Sequence, residues 1–192
     1  MSNLHAAIDE TNDGEYISIL IGDSESIRRN EKKLPSNFKH MTSIESKDDK
    51  LNIIKAFDFT GNIFACCAKI GLPQLREKID CIQKTTRKSQ RKVSNSLAYE
   101  FRYSLQSICK NFLIDNSITL EELKIEVDND LIRNYLHTTN CNVVSPNQAH
   151  KIADCIVHAN GKHWRVNQDI KEFGTRFTID FHKKVLSRAF RK

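Results

Sequence analysis

No apolar run in this chain approaches the length of roughly 20 residues that spans a bilayer. The N-terminus also lacks the basic-then-apolar order of a signal peptide. These two absences make a cytoplasmic location the expectation. The six cysteines, Cys66, Cys67, Cys81, Cys109, Cys141 and Cys155, include no C-x-x-C pair, and several fall on apolar positions of their segments. That spacing argues against a zinc site or a disulfide framework and for buried free thiols in a reducing compartment. There is no internal repeat and no low-complexity linker, so 192 residues read as one domain with a sizeable core. At 39% hydrophobic and 28% charged, the composition is that of a soluble globular protein.

What the chain does have is an uneven charge. Its net charge of +6 resides in residues 159–192, which hold nine bases against three acids. Residues 1–158 balance, but residues 72–92 within them hold seven bases and two acids. An otherwise acidic body with two basic segments suits a polyanion held near a cation site. Solvated helix faces are the commoner meaning of such runs.

Residues 4–8 and 16–21 read as two strands joined by a turn at Asn12-Asp13-Gly14. Residues 22–37 read as a long connection with a short helical turn, and Phe38–Ile44 as a third short strand or a loop. Ser46 caps a helix with Asp48 and Asp49 in its first turn. Ile63–Ile70 is a continuous apolar run, the pattern of a strand buried on both faces. Pro73 opens a helix that buries Leu75, Ile79 and Ile82, and Ser94 or Asn95 caps the next one. Leu123–Asp128 alternates as a strand, and Val143 and Val144 mark a last short one. A helix after Pro146 carries the stripe Ala149, Ile152, Ala153, Ile156 and Val157, and a terminal helix lies near Thr178–Phe190. Early strands paired as a hairpin and later strands separated by helices define a mixed α/β domain.

Three acids stand out by position. Asp9 and Asp128 each end a strand, and Asp154 lies beside the buried stripe of its helix. An ionised carboxylate beside a buried stripe costs free energy unless something pairs with it. A divalent cation would pair with all three, and Mg2+ favours such oxygen ligands. Glu45, just before the Ser46 cap, is a fourth candidate. For each acid a turn, a cap or a surface charge is the alternative reading.

These motifs resemble the ribonuclease H-like superfamily, and within it a group of small proteins with Asp-Glu-Ser-Gly ending the first strand and a last helix carrying Gln, several residues, then Ala-Asp. Here the motifs are Ile8-Asp-Glu-Thr-Asn12 and Asn147-Gln-Ala-His-Lys-Ile-Ala-Asp-Cys-Ile-Val-His158. Ile125-Glu-Val-Asp-Asn-Asp130 is similar to the superfamily's central strand, and Ile44-Glu-Ser-Lys47 to the group's Glu-x-Lys element. Thr11-Asn12 departs from Ser-Gly without removing an acid. The resemblance covers residues 4–161. It implies a mixed five-stranded sheet flanked by helices, assigned here to residues 1–161; residues 162–192 read separately as a basic extension packed on the same domain. It also implies a Mg2+- or Mn2+-dependent nuclease site of Asp9, Glu45, Asp128 and Asp154, for one of which Glu10 or Asp130 could substitute.

The expected activity is therefore phosphodiester hydrolysis of RNA or DNA. Lys84, Arg87, Lys88, Arg91, Lys92, Lys162 and Arg165 are the candidates to hold the backbone. The alternative is a non-catalytic nucleic-acid- or ribonucleoprotein-binding protein on the same fold. His150, Asp154 and His158 share one helix face, so either histidine could shuttle a proton. A surface or interface histidine is the preferred reading of both. Trp164, the only tryptophan, is read as core rather than as a stacking platform. Next to Asp9 on a strand, Glu10 should point to the opposite face.

Overall fold

The computed structural model describes residues 4–86, 88–161 and 167–191. The chain begins as expected with a hairpin. β1 (Leu4–Glu10) pairs antiparallel with β2 (Tyr16–Asp23), with Ile8 opposite Ile19. The turn closes because Asp13 Oδ1 accepts hydrogen bonds from Thr11 Oγ1 and the Glu15 N–H, while Gly14 takes φ +69°, a conformation glycine adopts at no steric cost. β3 (Ile63–Lys69) pairs antiparallel with the far side of β2. On the other edge of β1, β4 (Lys124–Glu126) and then β5 (Asn142–Val144) add in parallel. β6 (Lys171–Phe173) adds in parallel to β3. The result is one mixed six-stranded sheet, ordered β5-β4-β1-β2-β3-β6. β2 alone runs against the rest, so β1, β3 and β4 point their carboxyl ends the same way.

Helices cover both faces, which is why β1, β2 and β3 are buried almost throughout. On one face lie α1 (Ser24–Glu31), α2 (Lys47–Ala56) and α6 (Gln148–Gly161). Ile152, Ala153 and Ile156 of α6 pack there with Ala7, Leu20 and Ala65. Small residues on the sheet let α6 come close, and the buried Ser18 hydroxyl donates to the Ala153 carbonyl at 2.8 Å. On the other face lie α3 (Leu72–Thr86), α4 (Gln90–Asp115), α5 (Asp130–Thr138) and α7 (Thr175–Phe190). Among the described residues no helix is long and apolar enough to cross a membrane.

Several elements depart from the sequence reading. Of the two readings of Phe38–Ile44, strand or loop, the loop is the one that forms, with a 3-10 turn at Met41–Ser43. Phe38 and Met41 are both buried, and their spacing of three suits a turn rather than a pleat. Ser89, not Ser94 or Asn95, caps α4 by accepting the Lys92 N–H, because the buried Val93 already belongs to the apolar stripe. Residues 24–31 form a full helix, capped by Asp23 accepting the Ser26 N–H. α5 and β6 were not foreseen, and the sheet has six strands instead of five. β4 stops at Glu126, so Asp128 lies two residues beyond the strand.

Two structural details matter for the site. At about 1.5 Å per residue the 26-residue α4 is about 39 Å long, against about 23 Å for the seven-residue β3. Phe112, near the end of α4, packs on Phe64 at the start of β3, so the first turns of α4 run past the carboxyl ends of the strands. The second detail is Glu126, which is buried and accepts the N–H groups of Asn147 (2.8 Å) and His150 (2.9 Å). It caps α6 from β4 and fixes that helix against the sheet. Glu126→Ala leaves the N–H of the buried His150 without an acceptor and that of the exposed Asn147 to water, and chemical denaturation should show a loss of about 2 kcal/mol, with Glu126→Gln losing less because its amide oxygen still accepts.

Candidate metal centre

Strand alternation decides where the acids of β1 go. Ala7 and Asp9 face α6, while Ile8 and Glu10 face α4 and α5. Asp9 is buried, 8% exposed, and its Oδ1 accepts the Glu10 N–H at 2.9 Å. Asp128 follows β4, the parallel neighbour of β1, and is exposed. His150 sits in the first turn of α6, its backbone held by Glu126 and its ring buried. The ring Nε2 lies 3.2 Å from Asp128 Oδ1 and 3.6 Å from Asp9 Oδ1. One ligand atom from each of Asp9, Asp128 and His150 comes within 4.8 Å of the other two.

Two more acids border this group. Asp154, one turn along α6 from His150, is half-buried and accepts the Met41 N–H at 2.6 Å. Burial raises its pKa, against the pull of that hydrogen bond and of His40, His150 and His158. Glu10 lies on the opposite face, where the Asn129 amide donates to its Oε1. Asn129 in turn accepts the Leu131 and Ile132 N–H groups and caps α5. Glu10 thereby holds the residue that follows Asp128. Burial, then the charge of Asp128, pushes the Glu10 carboxyl up to about 7. Asp9 is pushed to about 8, first by burial, then by Asp154, with Asp128 and Glu10 adding to it.

The arrangement fits a divalent cation by two observations. His150 Nε2 is buried without a hydrogen-bond partner, although it faces two carboxylates at ion-pair distance. Asp9 is buried among like charges that a cation would neutralise. The two carboxylates suit Mg2+ or Mn2+, and the imidazole beside them is a ligand that Mn2+ or Zn2+ accepts more readily than Mg2+ does.

Of the four acids expected to converge, Asp9 and Asp128 do, and Asp154 lies close enough for its charge to act on Asp9. Glu45 is exposed, just before the Ser46 cap of α2, and is not one of the three residues whose ligand atoms converge. Asp130 opens α5 and is also exposed. His150, read from the sequence as a surface or interface residue, is buried and completes the group. Its signal was the shared face with Asp154, and that of Glu126 was its place on the same strand face as Asp9. Lys84, Arg91 and Lys92 are exposed and Lys88 is half-buried, at the end of α3 and the start of α4. Arg87, Lys162, Trp164 and Arg165 lie outside the described residues.

Comparison of the chain with models of known protein families, with curated proteins and with solved structures finds no match.

The raised pKa of Asp9 has a direct consequence for stability. In the unfolded chain Asp9 titrates near 3.8 and in the folded chain near 8, so the folded state binds the proton more tightly. Its contribution is fully present below pH 3.8 and is lost as pH rises through 8. In chelator, the wild-type Tm should fall between pH 5 and pH 8, and Asp9→Asn should flatten that fall. Adding Mn2+ at pH 8 should raise the wild-type Tm and leave that of Asp9→Asn unchanged.

Proposed function

We propose that this chain is a metal-dependent phosphodiesterase acting on nucleic acid, with Mg2+ or Mn2+ held by Asp9, Asp128 and His150. One observation carries the reading: three ligand side chains converge at the carboxyl ends of two adjacent parallel strands. In α/β sheets the crevice beyond those ends is where ligands bind. A mixed sheet flanked by helices, with acids after β1 and β4 and on α6, also supports the ribonuclease H-like reading, β6 being an addition to it.

A divalent cation bound there supplies Lewis acidity toward a phosphate oxygen and lowers the pKa of a water. Asp9 provides a rigid, buried carboxylate, and Asp128 an exposed one on the open side of the site. Asp154, restrained by the Met41 N–H and with its pKa raised, stands ready to take a proton beside Asp9. Glu10 positions Asp128 through Asn129. Glu45 has no role in this reading.

The exposed basic residues at the α3–α4 junction support a second reading, nucleic-acid binding without turnover. The two separate in one assay on single- and double-stranded RNA and DNA, with Mg2+, Mn2+ or chelator. Hydrolysis should require the metal and fall at least ~100-fold in Asp9→Asn and Asp128→Asn, since even residues that merely orient ligands cost 10–100-fold. Glu45→Gln should leave the rate unchanged. Calorimetry should show Mn2+ binding by the wild type and not by Asp9→Asn. Cleavage that persists in chelator or in Asp9→Asn would refute the catalytic reading.

A further inference from the structure

α4 and α7 run antiparallel, and a cleft of about 480 Å3 opens along them. Its walls are Glu100 from α4 and Lys183, Lys184, Ser187, Arg188 and Arg191 from the α7 side. Four cations thus face one carboxylate. That carboxylate is already engaged, because Arg188 Nε donates to Glu100 Oε1 at 2.5 Å. At the far end Lys92 Nζ reaches the Arg191 carbonyl at 3.5 Å, which brings one of the basic residues of the α3–α4 junction to the same cleft.

Beside the cleft stand Tyr99 and Tyr103, one helical turn apart on α4 and 41% and 47% exposed. The Arg188 guanidinium lies over both rings, 5.6 and 5.5 Å from their centroids. Arg102 also lies over the Tyr103 ring, at 5.6 Å, so guanidinium groups cover part of the ring faces. The exposed remainder of two aromatic rings next to a row of cations suits contact with bases while phosphates are neutralised. Arg188 cannot be the phosphate anchor, since Glu100 and the two rings hold it. Lys183, Lys184 and Arg191 supply the surplus charge.

We infer that the α4–α7 cleft holds a single strand of nucleic acid, its phosphates on Lys183, Lys184 and Arg191 and its bases against Tyr99 and Tyr103. The inference rests on the proposed function for its ligand class but not on the metal site. The exposed rings favour a strand with accessible bases over duplex, in which the bases already stack on one another. A smooth anionic surface such as a membrane would use the cations and leave the concave cleft and its rings without purpose.

Fluorescence anisotropy in chelator, on the full chain with labelled 20-nucleotide RNA and DNA and the matching duplexes, tests this. Lys183→Ala/Lys184→Ala should weaken single-strand binding about tenfold and lower the salt slope by about two. Tyr99→Ala/Tyr103→Ala should weaken it about tenfold with the slope unchanged. Lys55→Ala/Lys124→Ala, which removes the same charge at exposed positions elsewhere, should leave binding unchanged. Equal losses in the two lysine pairs, tighter binding to duplex, binding only to vesicles of anionic lipid, or no binding by the wild type would each overturn the cleft. Asp9→Asn binds normally if the cleft is right, whatever the fate of catalysis. A wild type that binds in chelator but never cleaves refutes the enzyme and keeps the cleft, while cleavage with unimpaired binding in both cleft variants does the reverse.

Discussion

A carboxylate buried among other carboxylates is the constraint on which this structure turns. Asp9 cannot retreat from its place, because β1 is paired on both sides and its neighbours Ala7 and Ile8 are packed against helices on opposite faces of the sheet. With Asp154, Asp128 and Glu10 all acting on it, its charge is costly unless a proton or a cation offsets it. The surrounding elements are arranged to keep that charge in place rather than to relieve it. Glu126 pins the N-terminus of α6, which fixes His150, and the Met41 N–H fixes Asp154. Asn129, tied to Glu10 and to the start of α5, fixes the turn that carries Asp128.

Apart from the local cap that Asn129 makes on α5, these restraints are hydrogen bonds between segments distant in sequence, and that explains what a sequence reading can and cannot reach. The hairpin, the buried β3 and the stripes of α4 and α6 are written in local periodicity, and all were legible. So was the division of Asp9 and Glu10 between two faces, because a strand alternates whatever its neighbours do. β6 was not legible: its three residues carry no pattern of their own and gain strand geometry only by pairing with β3. His150 was half-legible. Its helical spacing from Asp154 was plain, but its burial follows from the docking of α6 on β1 and β4, which no single segment announces.

Glu45 marks the limit of a local rule. Ser46 accepts the Asp49 N–H as the cap of α2, so Glu45 lies just outside that helix, and it is exposed. The cap, a short-range interaction with a definite geometry, was legible in the sequence. A motif resemblance carries only order along the chain. Which carboxylates share a site depends instead on long-range packing, such as the contact that brings the loop at Met41 onto Asp154.

The helices that overhang the sheet give the site its surroundings. Had α4 matched β3 in length, its basic start would lie level with the sheet edge, and α7 would have nothing to pack against beyond it. Instead Val93 and Leu97 stay buried past the strands, against the far half of α7 with Val185 and Ala189. That packing displays the cations and tyrosines of both helices on a rigid support. Arg76, on α3 at the same end, acts on both Glu10 and Tyr135, so positive charge reaches the margin of the acid cluster itself. These bases would attract the polyanion of the proposed function from a distance, beside the exposed Asp128. They do not reach the buried Asp9, whose charge a proton or a cation must still offset.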